Sequence, residues 1–407
     1  MNHFFKVKSL EAVMALRETF TPLGTETVPV HEAVSRTLAR DLVAPRNMPG
    51  FRRATMDGYA LAAPSSFGAS ESNPAWLTIQ GSIPMGVVPD FTLAPGSAAR
   101  ISTGGMLPQG ADAVVMVEHT QAVDGDSVEI YKSVAPLQNV IDADEDFAQD
   151  QVVLARGTRI RAQEAGLAAG LGFSEVTVYK VPRVGIISTG DEIIPIDADP
   201  APGQIRDINS YTLAGLIEEA RGQAVRYGIV PDDPKSLEAT CRKALAETDM
   251  VLLSGGSSVG TRDYTVEVLS DLPDTEILVH GMSVSPGKPT ILARSGTKPV
   301  WGLPGQVVSA MVVLKVVVLP FLNTLQGLAP RPDIRVRARL SRNLASAQGR
   351  RDFVRVQLLP GEDGVIAKPV LGKSGLIRTM VHADGLLEIG DHVEGLEKDT
   401  LVDIIPL

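Results

Sequence analysis

The sequence predicts an α/β multidomain protein whose central part is a doubly wound, mostly parallel sheet. Between residues 182 and 326, short apolar runs alternate with helical segments, a pattern typical of parallel sheets covered by helices on both faces. On both sides of this region, the helical periodicity gives way to short apolar runs separated by turn residues. The length of 407 residues also favours roughly two to four domains.

The N-terminal region, residues 1–181, is predicted to be helical with a β domain inserted at about residues 48–146. The stretch from Ser9 to Phe20 has an N-capping serine followed by apolar residues at helical spacing. A second amphipathic stretch runs from Val28 to Val43. Proline and glycine recur throughout the insertion, and helical character returns from Ala162 to Gly170.

The central domain, residues 182–326, is predicted to alternate strands with helices. Strands are expected at Val184–Ile187, Met250–Leu253, Ile277–Val279, Ile291–Ala293 and Val300–Trp301, and helices at Ser210–Arg221, Pro234–Glu247 and Tyr264–Leu272. Asp233 followed by Pro234 is a favourable helix start, because aspartate caps the first turn and proline needs no hydrogen-bond acceptor there. Ligands of such sheets bind at the carboxyl ends of the strands.

The C-terminal region, residues 327–407, is predicted to be a small β-barrel-like domain. Apolar and charged residues alternate with period two from Ile334 to Leu340, after a boundary at Arg331-Pro-Asp. Further strands are expected at Asp352–Leu359 and Leu386–Ile389. The arginines of the alternating stretch share one strand face, which is either solvated or available for an anion or an oligomer contact.

Composition and charge exclude several classes of protein. A net charge of −10 and a pI near 5.2 argue against general nucleic-acid binding, which needs clustered cations. The single cysteine, Cys241, excludes an internal disulfide framework and fits a reducing cytoplasm. No signal-peptide core is visible near the N-terminus, and Val307 to Leu322 is short for a membrane span. We therefore expect a cytoplasmic protein that neither binds nucleic acid nor enters a membrane.

The most informative segment is the glycine-rich turn from Ser254 to Gly260, which follows a predicted strand and precedes a predicted helix. Glycines let backbone amides approach a ligand closely, and a helix start directs free N–H groups at the same point. Asp263 adds a carboxylate where a phosphate would be repelled, so we expect a cation between them, with Mg²⁺ as the candidate.

Four other loops follow predicted strands and carry similar chemistry. They are Ser188-Thr-Gly-Asp-Glu192, Pro231-Asp-Asp233, Ser285-Pro-Gly-Lys288-Pro289 and Leu303-Pro-Gly305-Gln306, the last being a helix start with free amides. Each alone is compatible with an ordinary turn or cap. Together, at equivalent strand ends, they predict a pocket for a phosphorylated ligand with bound Mg²⁺. A phosphate loop of the NTPase type is absent from the sequence.

Taken together, these turns resemble the molybdopterin molybdenumtransferase family of molybdenum-cofactor biosynthesis, which includes the C-terminal domain of gephyrin. The resemblance covers nearly the whole chain. Its carriers are Met56-Asp-Gly-Tyr-Ala60, Gly110-Ala-Asp-Ala-Val-Val-Met116, Ser188-Thr-Gly-Asp-Glu192, Asp207 with Asn209-Ser210, Asp232-Asp-Pro234, Gly255-Gly-x-Ser258-Val-Gly-x-x-Asp263, Pro286-Gly-Lys-Pro289, Gly302-Leu-Pro-Gly305 and Ala383-Asp-Gly385.

The resemblance implies a homodimer whose active site lies between the α/β domain of one subunit and the β insertion of the other. It implies binding of adenylylated molybdopterin, Mg²⁺-dependent cleavage of the phosphoanhydride, and insertion of the substrate oxyanion molybdate with release of AMP. Molybdopterin adenylyltransferase and acceptor apo-enzymes are the protein partners implied.

The loops and the resemblance together give the expected site residues. Catalytic roles are expected for Asp57, Asp232, Asp263 and Lys288, and metal ligation for Glu192, Asp232 and Asp263. Substrate binding is expected at Thr103, Asp146, Ser188, Thr189, Gly190, Asp191, Gly255, Gly256, Ser258, Gly260, Pro304, Gly305 and Ser374. By the resemblance, Asp57, Thr103 and Asp146 would come from the β insertion, and Ser374 from the C-terminal domain.

Four departures from the family pattern leave alternatives open. Ser285 stands where many relatives have a second lysine, and Gln306-Val307 replaces the usual Asn-Pro. The usually arginine-rich stretch before Asp146 reads Ile141-Asp-Ala-Asp-Glu145, and Arg52-Arg53 replaces a usual acidic or amide residue. A non-catalytic pterin-binding carrier or scaffold, or a paralogue preferring tungstate, is therefore an alternative. An adenylyltransferase is a third, which the two additional β regions disfavour.

Overall fold

The computed structural model describes residues 7–255, 262–330 and 332–407, without the side chains of Arg262 and Asp263. The chain divides into two compact units. The first contains Met1–Ala39, Gly157–Arg161 and Glu175–Leu407, and the second contains Arg40–Arg156 and Ala162–Ser174. The α/β multidomain class predicted from the sequence is confirmed. The three predicted domain boundaries stay predictions.

The centre of the first unit is a six-stranded sheet with helices between most of its strands. In chain order its elements are β1 (Arg183–Thr189), α1 (Asn209–Glu219), β2 (Gln223–Val230), α2 (Pro234–Glu247), β3 (Met250–Ser254), α3 (Arg262–Asp271), β4 (Thr275–His280), β5 (Ile291–Ser295), β6 (Lys298–Leu303) and α4 (Val307–Val313). The strand order is β2-β1-β3-β6-β5-β4, in which β2, β1, β3 and β6 are parallel and β5 and β4 complete an antiparallel edge.

Apolar residues cover both faces of this sheet, which confirms the doubly wound arrangement. One core cluster joins Ile186 and Leu252 to residues of α1 and α4, and another joins Ile187 and Leu253 to residues of α2 and α3. Alternate residues of β1 and β3 thus point to opposite faces, as the period of a strand requires. The start of α2 is as expected, since the Asp233 carboxylate accepts a hydrogen bond from the Ser236 amide over 2.8 Å.

α4 continues through a π-helical turn at Leu314–Val318 into a last helix at Leu319–Leu325. The combined helix is long and apolar enough to cross a membrane by length and composition, but most of it is buried inside the protein. Phe321 packs edge-to-face against Trp301 of β6, with ring centroids 5.0 Å apart. The segment is therefore the core helix of the α/β domain.

The N-terminal stretch is only partly helical. The helix Leu10–Ala15 begins as expected, with the Ser9 hydroxyl accepting from the Ala12 amide, and a 3₁₀ turn follows. The second amphipathic stretch, Val28–Val43, does not form an α-helix. Instead, strand Thr25–Pro29 pairs antiparallel with Glu175–Tyr179. The long-range backbone pairing outweighs the local apolar spacing, which is compatible with either structure.

The second unit contains a six-stranded sheet, as expected for the inserted β domain that the sequence predicts. Its strands, in spatial order, are Ala113–Met116, Gly58–Leu61, Ser97–Ile101, Ala75–Ile83, Ser127–Ile130 and Thr120–Asp124. Two short ladders pair Leu42–Val43 with Val152–Leu154 and Arg53–Ala54 with Val140–Ile141, and the helix Ala162–Gly170 completes the unit.

The C-terminal region of the first unit is a closed five-stranded barrel, which confirms the barrel-like prediction. Its strands follow the order Arg351–Gly361, Gly364–Pro369, Val336–Leu340, Leu401–Pro406 and Gly385–Ile389, and the last pairs with the first. Strand Val284–Ser285 joins it by pairing in parallel with Arg351–Asp352. Shorter elements are the pairs Ile193–Ile194 with Ile205–Arg206 and Leu344–Ala345 with Gly395–Leu396, and the helix Arg378–Val381.

The alternating arginines lie on the outer face of the barrel. Arg337 and Arg339 are exposed, whereas Ala338 and Leu340 between and after them are buried. Arg335 forms an ion pair with Glu388 over 2.8 Å. This geometry matches the solvated-face interpretation of the pattern.

Candidate active site

A large cavity opens at the carboxyl ends of the parallel strands, where the sheet architecture predicts a ligand site. Its volume is about 1040 Å³. The residues that line it include Ser188, Thr189, Gly190, Glu192, Asp232, Gly255, Lys288, Pro304, Gly305 and Ser374, all predicted from the sequence. They come from the loops after β1, β2, β3 and β6, from the Lys288 turn and from the barrel. The structure therefore brings these separate loops together around one space.

Two glycines of the site have backbone conformations that other residues rarely adopt. Gly255, directly after β3, has φ +125°, and a Cβ there would lie 2.0 Å from the Thr189 carbonyl oxygen. Gly190, after β1, has φ +143°, and its Cβ would lie 2.8 Å from Glu192 Oε2. The two strand ends can approach each other only because Gly255 has no side chain.

Three carboxylates gather where β1 and β2 end. The Asp232 backbone amide donates to Asp191 Oδ1 over 3.1 Å. Burial raises the pKa of Asp232 above its usual value, and the carboxylates of Asp191 and Glu192 raise it further, although a hydrogen bond that the Asp232 carboxylate accepts from the Asp191 backbone amide offsets part of this. Asp191 itself does not line the large cavity.

The start of α3 lies beside Asp232. Tyr264 and Thr265, which follow Asp263 in the chain, line a small cavity together with Thr189 and Asp232. The predicted residues Gly256, Ser258 and Gly260 lie outside the described residues, as does the side chain of Asp263. Within the described part of the chain, no three acidic, histidine or cysteine side chains are grouped closely enough to hold a metal ion.

Lys288 reaches the cavity from a rigid turn. Gly287 has φ +127°, and a Cβ there would lie 2.4 Å from Val313 Cγ2 of α4, so the turn packs directly on that helix. The Met282 amide donates to the Lys288 carbonyl over 2.9 Å, and the Thr290 hydroxyl donates to the Gly287 carbonyl over 2.7 Å. The backbone that carries the ammonium group is therefore held on both sides.

Ser374 lies in a loop of the barrel that closes onto the start of α4. The Val308 amide donates to the Ser374 carbonyl over 3.0 Å. The expectation that this helix start presents free amides is thus wrong for Val308, because the barrel loop already occupies its N–H group. Gln306 is the N-cap residue, but its side chain makes no capping hydrogen bond.

Several residues that line the cavity were not predicted as site residues. Asp207 and Asn209 appear in the sequence only as positions of a family motif. In the structure, Asp207 accepts a hydrogen bond from Ser188, and Asn209 donates one to Ser254, both at strand ends. Arg350 and Gln348 come from the barrel. Neither residue lies in a motif that the sequence singles out, and the chain order places both far from the glycine-rich turn.

Arg350 is held by the register partner of Ser285, the position at which the resemblance leads us to expect a second lysine. Its Nε lies 3.0 Å from Asp352 Oδ1, and Asp352 is the register partner of Ser285 in the parallel ladder. Arg350 and Ser285 both line the cavity. The barrel therefore supplies a guanidinium group to the cavity that Ser285 also lines.

Two of the site residues predicted in the second unit, Asp57 and Thr103, are hydrogen-bonded to each other. Asp57 Oδ1 accepts hydrogen bonds from the Thr103 amide over 2.7 Å and from the Thr103 hydroxyl over 3.1 Å. These bonds lower the pKa of Asp57, with the backbone amide making the larger contribution. Asp146 lies in the same unit, where its amide donates to the Met48 carbonyl over 3.1 Å.

Family models match three successive regions of the chain. Residues 8–172 match the MoeA N-terminal region (domains I and II), residues 185–324 a domain described as "Probable molybdopterin binding domain", and residues 337–407 the MoeA C-terminal region (domain IV).

Individual relatives match over most of this chain and most of their own length. Molybdopterin molybdenumtransferase 2 of Mycobacterium tuberculosis is 33% identical over 384 residues, covering 93% of this chain and 94% of that protein. The molybdopterin molybdenumtransferase of a Nostoc species is 36% identical over 308 residues, covering 75% and 70% of the two chains. The crystal structure of the molybdopterin biosynthesis MoeA protein from Pyrococcus horikoshii OT3 matches with a TM-score of 0.85 and 33% identity over 99% of this chain and all of that one. The chain therefore belongs to the molybdopterin molybdenumtransferase (MoeA) family of molybdenum-cofactor biosynthesis.

Proposed function

We propose that this protein inserts molybdate into adenylylated molybdopterin, with Mg²⁺-dependent release of AMP, to give the molybdenum cofactor. The observation that supports it most is the shared cavity, in which Glu192 and Asp232 meet Lys288 and the glycine turns. A phosphoanhydride substrate needs both kinds of group, because cations and amides bind its oxygens while carboxylates hold a metal ion. The volume of about 1040 Å³ is at the upper end of ordinary ligand sites and suits a substrate as large as a nucleotide-linked pterin.

The acidic residues fit a divalent cation. The raised pKa of Asp232 reflects burial and two neighbouring carboxylates, and a bound cation would relieve that repulsion. Glu192, Asp232 and Asp263 are the proposed ligands, with Asp263 supplied from the start of α3. When bound, Mg²⁺ supplies positive charge that stabilises the anionic oxygens of the phosphoanhydride.

The remaining site residues bind and orient the substrate. Lys288 is proposed to hold the anionic group through its ammonium, on a backbone that α4 supports. Gly190, Gly255 and Gly305 are proposed to offer backbone amides to a phosphate or molybdate oxygen. Ser374 is proposed to contact the substrate from the barrel, on the loop fixed by the Val308 amide.

The proposal includes a homodimer. One copy would supply Asp57, Thr103 and Asp146 to the α/β pocket of the other. The hydrogen bonds from Thr103 keep Asp57 ionised, which suits a residue that acts as an acceptor or base. Molybdopterin adenylyltransferase and acceptor apo-enzymes are the proposed protein partners, and the cytoplasm is the proposed location.

The test is AMP release by the purified protein supplied with adenylylated molybdopterin, Mg²⁺ and molybdate. We expect release that depends on Mg²⁺ and is lost in Asp232→Asn, with tungstate assayed in parallel for oxyanion preference. Tight binding of the substrate without AMP release, while an active relative turns over under the same conditions, would instead identify a carrier. Consumption of ATP in the presence of free molybdopterin would identify an adenylyltransferase.

A further inference from the structure

Asn209 lines the cavity at the first position of α1, and the proposed function gives it no role. It is partly buried, and its side chain is hydrogen-bonded to two other segments of the site. Its carboxamide nitrogen lies 2.7 Å from Ser254 Oγ and 2.8 Å from the Gly305 carbonyl oxygen. A carboxamide nitrogen carries two hydrogens, so it can donate one to each acceptor.

The two acceptors belong to different segments of the site. Ser254 is the last residue of β3 and directly precedes Gly255 of the glycine-rich turn. Gly305 lies between β6 and α4, next to Pro304, which also lines the cavity. One side chain therefore joins the last residue of β3 to the loop after β6, and Ser254 and Gly305 both line the cavity.

The position of Asn209 is itself fixed from a third strand. Asp207, two residues earlier, is buried, and its carboxylate accepts from the Ser188 hydroxyl over 2.9 Å and from the Ser210 amide over 3.0 Å. Ser188 belongs to β1. The short segment from Asp207 to Ser210 thus links the carboxyl ends of β1, β3 and β6 by side-chain hydrogen bonds.

We infer that Asn209 is a positioning residue that holds the end of β3, at Ser254, and the Pro304–Gly305 loop in a fixed relation around the substrate. This inference rests on the proposed function for its substrate. Aspartate has the same shape but donates no hydrogen when ionised, and it would place a negative oxygen beside the Gly305 carbonyl. Correct spacing of two substrate-binding loops contributes to turnover, because small displacements of reacting groups are costly.

The first experiment compares Asn209→Asp with the wild type and with Asn73→Asp, which makes the same change at an exposed residue that does not line the cavity. We expect kcat for AMP release to fall at least about tenfold in Asn209→Asp, with KM changed less than about threefold, because Lys288 and the carboxylates are untouched. Asn73→Asp should behave as the wild type. A wild-type kcat in Asn209→Asp, or a loss confined to KM, would overturn the inference.

The second experiment needs no turnover and therefore separates this inference from the proposed function. Amide hydrogen exchange of residues 303–308 should accelerate about tenfold or more in Asn209→Asp, and in Ser254→Ala the effect should appear at residues 250–255 without reaching residues 303–308. Unchanged exchange in both variants would contradict the inference even if AMP is released. If the wild type releases no AMP but the exchange pattern holds, the substrate assignment fails while the loop connection stands. If Asn209→Asp does not fold, Ser254→Ala alone decides.

Discussion

Arg52 and Asp142 form a two-point ion pair, with Nε to Oδ1 at 2.6 Å and Nη2 to Oδ2 at 3.2 Å. Both residues lie in stretches that the sequence itself marks as departures from the expected family pattern. The two side chains compensate each other in charge.

Reversing this pair should be tolerated better than breaking it. We expect Arg52→Asp and Asp142→Arg each to lower the Tm, because each brings two like charges together, and the double variant to recover most of the loss. Thermal melts at low salt and at about 1 M NaCl are the measurement, since screening should shrink the differences. Additive losses in the double variant would show that the two residues do not interact.

The same pair predicts an acid-dependent loss of stability. The hydrogen bonds from Arg52 lower the pKa of Asp142 below its usual value. A group with a lowered folded-state pKa stabilises the protein above its unfolded pKa, about 3.9 for aspartate, and loses this effect as the pH falls through the folded-state pKa. Below about pH 4, Arg52→Ala should therefore lose stability less steeply with falling pH than the wild type. Parallel unfolding curves for the two proteins in this range would refute the linkage.

Asp232→Asn should stabilise the protein while abolishing its proposed activity. The pKa of Asp232 is raised by burial and by the neighbouring carboxylates, so its ionised form is disfavoured in the folded state. Below the unfolded-state pKa, Asp232 is neutral in both the folded and the unfolded state and does not destabilise the protein. The loss of stability appears as the pH rises through the folded-state pKa. Asparagine should therefore raise the Tm at pH 7 and have little effect at about pH 3, as measured by calorimetry without Mg²⁺. A lower Tm at pH 7 would mean that Asp232 has a stabilising partner.

Gly255→Ala should be strongly destabilising. The backbone at Gly255 is in the left-handed region, and an added Cβ would lie 2.0 Å from the Thr189 carbonyl oxygen. Alanine therefore fits only if β1 and β3 move apart. We expect a loss of more than about 3 kcal/mol in the free energy of unfolding. Gly215→Ala is the matched control, because it lies within α1 with no atom within 4 Å of its Cβ. It should gain roughly 0.5–1 kcal/mol. Denaturant unfolding of both variants measures the contrast, and equal stabilities would refute this account of Gly255.

Lys288→Met should weaken substrate binding without unfolding the turn, whose backbone is held by Gly287 packing and by the Met282 amide. Loss of a charge-assisted contact to a phosphate should raise the Kd of AMP or of the substrate about tenfold to a hundredfold. Lys373→Met is the control, since it precedes Ser374 but does not line the cavity. Isothermal titration at two salt concentrations measures the change. Equal affinities for the two variants would remove Lys288 from the site.

The proposed homodimer predicts complementation between two inactive variants. Asp57→Asn and Asp232→Asn would each inactivate every site in their own homodimers. In a mixed dimer, however, one of the two sites would contain both wild-type residues. Co-expression with two different tags, followed by tandem purification, should therefore recover about half of the wild-type activity per dimer. Mixed dimers without activity would contradict a site shared between subunits, and a monomer in solution would contradict the dimer itself.

Much of the candidate site follows from local sequence. The loops containing Ser188–Glu192, Asp232 and Pro304–Gly305 each follow a parallel strand of the central sheet, and the carboxyl ends of these strands share one edge. The sheet class then predicts their convergence without any knowledge of distances. The Lys288 turn instead follows Val284–Ser285, which pairs with the barrel. The sequence predicts that Gly255 permits the close approach of a ligand. The structure shows that the Thr189 carbonyl, a part of the protein itself, already requires glycine at this position.

Other features were decided by tertiary structure. Apolar spacing in Val28–Val43 fits a helix, but pairing of Thr25–Pro29 with a strand about 150 residues later fixes part of it as β structure. Closure of the barrel depends on Arg351–Gly361 pairing with Gly385–Ile389, and the presence of Arg350 in the cavity depends on that barrel lying beside Val284–Ser285.

The sequence by itself thus determined the family, the alternation of strands and helices, and most of the residues that face the cavity, because these depend on short motifs and on periodic burial. Only the tertiary structure decided which polar side chains connect the loops, as with Asn209 to Ser254 and Gly305 or Arg52 to Asp142. Hydrogen bonds and ion pairs need distances of about 3 Å between groups far apart in the chain, and local composition carries no information about those distances.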